Sequence, residues 1–213
     1  MKKLLLSSIF LLLLSTAYSQ HRIGLRFSPT LSVNRIDSDS ERVDYSSNGV
    51  GARFIFGPTF DYFLGENYYI STGLLYAPKR AGISGIVHDT RRRVDERYNL
   101  QYLQIPATLK LYTNELALDT RLYFQLGGLI EFKIADRAAQ TDIFLVDRFR
   151  PYDFSTLLGT GVEYRIGVNT VVYGGISYVR GLLNAATRQT GNPIFDQFTL
   201  KNDLLTLDLG IMF

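Results

Sequence analysis

The sequence predicts an all-β protein: an eight-stranded antiparallel up-and-down transmembrane β-barrel after a cleaved signal peptide. Three observations carry that reading. Apolar and polar residues alternate at period two through eight stretches, the pattern of strands with two different faces. The connections between those stretches alternate short and long, as in a barrel with turns at one end and loops at the other. The composition, with 14 Tyr, 14 Phe and 18 Gly in 213 residues and 46% hydrophobic, favours sheet and excludes disorder.

Residues 1–19 read as the export signal and residues 20–213 as the barrel domain. Lys2 and Lys3 precede an apolar core, Leu4–Leu14, and Ala17 and Ser19 supply the small residues before cleavage ahead of Gln20. That core is too short to span a bilayer as a helix. Discounting Lys2 and Lys3 lowers the net charge from +3 to +1, so the basic balance is no argument for a nucleic-acid partner.

The first strand, Arg22–Asn34, sets Ile23, Leu25, Phe27, Leu31 and Val33 against Arg22, Gly24, Arg26 and three hydroxyl residues. The second, Arg53–Phe63, opposes Phe54, Phe56, Phe60 and Tyr62 to Arg53, Thr59 and Asp61. The third, Tyr68–Lys79, carries Tyr68, Ile70, Leu74 and Tyr76 on one face and Ser71, Gly73 and Lys79 on the other. In the fourth, Tyr98–Tyr112, Leu103, Ile105, Leu109 and Leu111 alternate with Gln104, Thr108 and Lys110. The fifth, Arg121–Ala135, sets Leu122, Phe124, Leu126, Ile130, Phe132 and Ile134 against Arg121, Gln125, Glu131 and Lys133. The sixth, Ser155–Ile166, and seventh, Val171–Val179, place Leu158, Val162, Tyr164, Ile176 and Tyr178 opposite Glu163, Arg165, Ser177 and several glycines. The eighth, Asp203–Phe213, has Leu205, Leu207, Leu209, Ile211 and Phe213 on one face and Asp208 on the other. Together the apolar faces hold one charge, Asp203, in 47 positions, and the polar faces hold 12 in 51.

Alternation alone does not say which face is outside; a soluble exported barrel of the lipocalin kind, binding an apolar ligand, would turn the apolar face inward. Three features favour lipid outside. Eight strand glycines, Gly24, Gly57, Gly73, Gly127, Gly159, Gly161, Gly175 and Gly210, share the charged face, against Gly128 and Gly174 on the apolar one; a crowded lumen needs small residues beside large ones. Aromatics on the apolar face sort to the ends, Tyr62, Tyr68, Tyr164 and Phe213 at the short-turn end and Phe54, Tyr76, Phe132 and Tyr178 at the long-loop end, as two lipid–water interfaces select. The terminal Phe213 closes an amphipathic strand, the kind of C-terminal signal that outer-membrane assembly machinery reads. Pro29, Pro58, Pro78 and Pro106 fall inside strands, where each removes a ladder donor, and are expected at bulges or register adjustments.

Tyr102-Leu103-Gln104-Ile105-Pro106, continuing to Lys110, resembles the Y-L-E-I-P…K signature of PorT-like outer-membrane β-barrel proteins of Bacteroidota. Leu74-Leu75-Tyr76 with Lys79 and Gly82, Asp153-Phe154 through Gly159, Gly161 and Glu163, and Ser177-Tyr178 through Gly181-Leu182 are similar to further segments of that family. Gln104 stands where the family usually has Glu. The resemblance implies an outer-membrane barrel; the family's namesake is an accessory of type IX secretion.

The polar faces assign a lumen network of Arg22, Arg26, Arg53, Asp61, Lys79, Lys110, Arg121, Glu131, Lys133, Glu163, Arg165 and Asp208. Eight basic and four acidic groups in so narrow a space are expected to pair into a sealing plug, because an unpaired buried charge is costly. No cysteine and only His21 and His88 are present, which excludes disulfides and leaves little for metal or nucleophilic chemistry. His88 beside Asp89 is the one candidate base, and no enzyme, metal or cofactor is expected. Among the long loops, Asp37, Asp39, Glu41 and Asp44 form an acidic run without calcium-loop spacing. Ile143–Val146 is an apolar stretch. Arg91, Arg92, Arg93 and Arg97 form a candidate binding patch for lipopolysaccharide phosphates or a protein. The expected role is structural or partner-binding through these loops, with outer-membrane lipid and lipopolysaccharide, the assembly machinery and a protein partner as the expected contacts.

Overall fold

The computed structural model describes residues 21–38, 40, 42–140, 145–189 and 197–213. The expected signal peptide, Asp39, Glu41, Ile143 and Phe144 therefore lie outside the described residues. Twelve strands follow one another: β1 (Arg22–Asp37), β2 (Val43–Ser47), β3 (Gly51–Gly65), β4 (Tyr68–Gly73), β5 (Leu75–Val87), β6 (Arg93–Tyr112), β7 (Thr120–Gln140), β8 (Val146–Phe149), β9 (Tyr152–Arg165), β10 (Val171–Gly181), β11 (Ala186–Gln189) and β12 (Thr199–Met212).

Eight staves close a ring. Their order is β1, β12, β10, β9, β7, β6, β4 with β5, and β3, which pairs back to β1. Every pairing is antiparallel, and β1 and β12 close the ring in one unbroken register from Gly24↔Met212 to Asp37↔Thr199. Beyond it, Ile23 and Phe213 exchange two backbone hydrogen bonds at 3.2 and 2.8 Å. A closed ring leaves no unpaired edge, which is what a lipid environment demands of a sheet. The third predicted strand is two elements, β4 and β5, interrupted at Leu74, whose N–H donates to the Pro58 carbonyl at 3.0 Å. Both pieces keep one register against β6, so the interruption shifts nothing.

The prolines are not where the sheet slips. Pro29 pairs with Phe54, Pro58 with Leu25, Pro78 with Gln101 and Pro106 with Leu129, all in undisturbed register. Between β6 and β7 the irregularities fall at Arg97/Tyr98 and Gln101/Tyr102. The expectation of proline-marked bulges is thus corrected: a donor can be lost without inserting a residue.

The strands also outrun their predicted ends. β6 has 20 residues and β7 has 21, so the predicted loop Arg80–Arg97 is largely a hairpin of β5 and β6 turning at His88–Thr90. β2 continues the sheet beside β5, and β8 pairs with β11 across the top.

The lumen explains the glycines. Tyr123 and Tyr173 project inward and are buried. A Cβ on Gly175 would meet the Tyr123 hydroxyl, and one on Gly210 would overlap the Tyr173 ring. Gly210→Ala is expected to cost about 1–3 kcal/mol of unfolding free energy by overpacking, and most of that cost is expected to vanish in a Tyr173→Leu background. Urea unfolding of the four chains of the double-mutant cycle measures both values.

Candidate functional site: the filled lumen and the long-loop rim

The apolar face is outside. Leu25, Phe27, Phe56, Phe124, Leu126, Leu158, Ile176, Leu205, Leu207 and Leu209 are exposed around the ring, while Arg26, Asp61, Lys79, Lys110, Glu131, Glu163 and Asp208 are buried within it. These faces are the reverse of those a soluble barrel needs, and they fit a wall surrounded by hydrocarbon. The aromatics predicted for the girdles all point outward: Phe54, Tyr62, Tyr68, Phe132, Tyr164, Tyr178 and Phe213 are exposed and Tyr76 half-exposed, with Tyr76 packed on Phe56 at 5.4 Å.

The lumen below the long-loop end holds ion pairs in tiers. Nearest the short turns, Arg22 donates to Glu163 at 2.8 Å and to the Tyr69 hydroxyl at 3.1 Å. Tyr112 donates to the same carboxylate at 3.2 Å. Arg121 lies 4.0 Å from Glu163 and stacks over the Tyr112 ring. In the next tier Lys110 donates to Asp61 at 2.8 Å, and Ser71 donates to the other Asp61 oxygen at 2.5 Å. Beside it, Asp208 accepts from Arg26 at 2.5 Å, Ser28 at 2.9 Å, Ser177 at 2.7 Å and Thr206 at 2.9 Å. Highest is Lys79, wholly buried, donating to the equally buried Glu131 at 2.5 Å, where Gln104 also donates at 2.8 Å.

Two predicted lumen charges, Arg165 and Arg53, are elsewhere, and a third, Lys133, lies at the top of the lumen against Phe149. Arg165 is exposed on the short-turn rim, 3.9 Å from Glu115. Lys133 sits at the top of β7, donating to Asp136 and to the Phe149 carbonyl. Arg53 is half-exposed and donates to Asn99 at 2.6 Å. Two carboxylates that the sequence did not assign, Asp153 and Glu96, are buried in the upper lumen. Glu96 accepts from the Leu145 N–H at 2.8 Å and from Tyr98; burial, then Glu96, raises the Tyr98 hydroxyl well above its ordinary pKa. The predicted excess of positive charge in the lumen is therefore absent: with Lys133 at its top, six cations (Arg22, Arg26, Lys79, Lys110, Arg121 and Lys133) face six carboxylates (Asp61, Glu96, Glu131, Asp153, Glu163 and Asp208) among the described residues.

Above Glu131 the interior turns apolar. Ala81, Ile83, Val94, Leu100, Leu200 and Leu204 form a continuous buried cluster with Leu145, Val146 and Phe149 of the β7–β9 connection and Ala185, Ala186 and Phe198 of the β10–β12 connection. Tyr45 of β2 packs on Phe198 at 4.8 Å. This stopper closes the long-loop end.

The outward face changes in the opposite sense. Along β6 it runs Arg93, Asp95, Arg97, Asn99 and Gln101, and then Leu103, Ile105, Ala107, Leu109 and Leu111. Along β12 it runs Thr199, Lys201 and Asp203, and then Leu205, Leu207 and Leu209. Polar-out above and apolar-out below is the ordinary aqueous rule giving way to the lipid rule. The switch marks the upper limit of the hydrocarbon on each strand. It also explains the one charge on the predicted apolar faces: Asp203 lies just above the switch and accepts from Arg35 at 2.9 Å and from the girdle Tyr178 hydroxyl at 3.0 Å.

The candidate loop patch is dispersed. Arg91, at φ 51°, and Arg92 occupy the β5–β6 turn. Arg93 is bound to Asp95 at 3.0 Å. Arg97 lies further down, donating to Asn48 at 3.4 Å. The candidate base His88 faces Asp44 at 2.8 Å rather than Asp89, with both side chains open to solvent at 47% and 72%, an arrangement with nothing to exclude water from a reaction.

A closed eight-stave ring with a polar, filled lumen and an apolar wall defines a membrane-spanning β-barrel. Residues 17–185, more than half of the chain, match the outer membrane protein beta-barrel domain family, and the chain belongs to that family. Among solved structures it is similar to Neisserial surface protein A at 12% identity, covering 92% of this chain and 98% of that one with a TM-score of 0.50. It is also similar to the outer membrane protein OprG of Pseudomonas aeruginosa at 10% identity, covering 90% and 95% with a TM-score of 0.55. At these identities the likeness is one of fold. No curated protein matches the chain. Family and fold together indicate an outer-membrane location.

Proposed function

We propose that this protein is a sealed outer-membrane scaffold that acts through its extended long-loop rim on the extracellular side, without pore or catalytic activity. The observation that carries the reading is that the interior is occupied along its length, by paired charges below and by the apolar stopper above. An eight-stranded ring has room for little more than its own side chains. The enclosed space lined by Arg26, Lys110, Tyr123 and Asp208 is about 10 Å³, room for a single water. Built from the β5–β6 hairpin with β7 extended beside it, the rim offers a surface for a protein partner. Planar-bilayer recording of the purified protein is expected to give no large stable conductance; a reproducible open level of porin size would contradict the sealed lumen.

The resemblance of Tyr102–Pro106 and Lys110 to PorT-like proteins favours a second reading, an accessory of a type IX-like secretion system. Deletion of the gene is then expected to abolish export of that system's substrates, and undiminished export would rule the reading out.

A further inference from the structure

Three guanidiniums converge on the outer wall at the gap where β3 parts from β5. The last β3–β5 pair is Phe56↔Tyr76. Beyond it, Arg80 of β5 spans the gap, donating to the Asn48 carbonyl at 2.8 Å and the Val50 carbonyl at 3.2 Å. Arg53 reaches across β5 to the side chain of Asn99, the register partner of Arg80. Arg97 follows on β6 and holds the Asn48 side chain. Their side-chain hydrogen-bond partners are the neutral amides of Asn48 and Asn99; Asp95, two residues along β6, feels the Arg97 charge but is itself bound to Arg93 and Ser84, and the buried Arg80 Nε has no hydrogen-bond partner. Burial, then the Arg97 and Arg53 charges, pulls Arg80 below its ordinary pKa, so the three cations lie close enough to repel. Clustered cations held by neutral acceptors are stabilised by an anion, and guanidinium forks fit phosphate oxygens best.

Their height selects the source of that phosphate. Arg80 lies four residues beyond the girdle residue Tyr76 on β5, and Asn99 four before the lipid-facing Leu103 on β6. At roughly 3.3 Å per residue on a tilted strand this is about 10 Å above the last lipid-facing side chains, at headgroup level. We propose that Arg53, Arg80 and Arg97 form a binding site for the phosphate of an outer-leaflet glycolipid whose acyl chains lie against Phe54, Phe56 and Tyr76 below. The site differs from the dispersed Arg91–Arg93 turn. It rests on the proposed outward orientation of the long-loop end, which labelling of an Asp89→Cys variant in intact cells checks separately.

The test titrates the folded protein in micelles with diphosphoryl lipid A and reads the bound fraction by native mass spectrometry. An Arg53→Gln/Arg97→Gln variant, which leaves the structural Arg80 in place, is expected to bind at least about tenfold more weakly. Fully dephosphorylated lipid A is expected to bind both chains equally weakly. If the double variant does not fold, Arg97→Gln alone, at an exposed side chain, gives the same reading. Equal binding of diphosphoryl lipid A by variant and parent would overturn the proposal, as would an equal loss in Arg92→Gln, which would mean diffuse charge and no site. Displacement of the lipid by inorganic phosphate at equal concentration would overturn the lipid as its source.

Discussion

Glu131→Leu is expected to lower the unfolding free energy by about 3–5 kcal/mol, the cost of leaving one member of a buried pair uncompensated. Lys79 and Glu131 are wholly buried and joined at 2.5 Å. With Glu131 removed, the Lys79 ammonium keeps the Tyr102 ring at 5.1 Å and the field of Asp153, which places the loss toward the lower end of that range. The stopper above it supplies apolar walls without a replacement acceptor. Lys79→Met/Glu131→Leu is expected to recover most of the loss, because an ion pair replaced by apolar groups of similar volume is often neutral or better. Urea unfolding in lipid vesicles measures the single and double variants; a single variant within about 1 kcal/mol of the parent would mean that the tier is hydrated.

Leu207→Arg is expected to cost about 2–4 kcal/mol. Leu207 is outward on β12, flanked along the strand by Leu205 and Leu209 and paired with Ile176 on β10, so its side chain meets mid-bilayer hydrocarbon. The same change at Thr199, on the outward face of the same strand above the switch, is expected to cost almost nothing. Near-equal effects at the two positions would remove the hydrocarbon boundary from between them.

The ring was legible in the sequence because lipid imposes one strict rule on eight strands at once. Seven predicted spans fall on single strands, two of them running one residue past the end at Ile166 and Phe213, and the third span falls on the collinear pair β4 and β5. The ends were less legible for a physical reason. At Gln101 on β6 and Asp203 on β12 the wall leaves lipid, the faces exchange character, and a period read in one phase stops. Val94, Glu96, Ile83 and Val87 then look like loop although they continue the staves. Arg53 is inward by parity, which holds while β3 is paired with β4 and, at Phe56, with β5; past Phe56 that pairing ends and the side chain crosses to Asn99. Asp153 and Glu96 were missed because each lies just beyond a predicted span. The Gln104 departure from the PorT-like pattern acquires a local account: its amide donates to Glu131, where a second carboxylate would face the first.

The exchange of faces along one strand is directly measurable, because the chain has no cysteine. Nitroxide labels on single cysteines at Lys201, Asn202, Leu204, Leu205, Thr206, Leu207 and Leu209, in the protein reconstituted in vesicles, report collision with oxygen, which concentrates in hydrocarbon. The expected profile has maxima at 205, 207 and 209, minima at 204 and 206, and a low value at the outward position 201. Maxima at 204 and 206, or a profile without alternation, would contradict an apolar wall in lipid around a filled lumen.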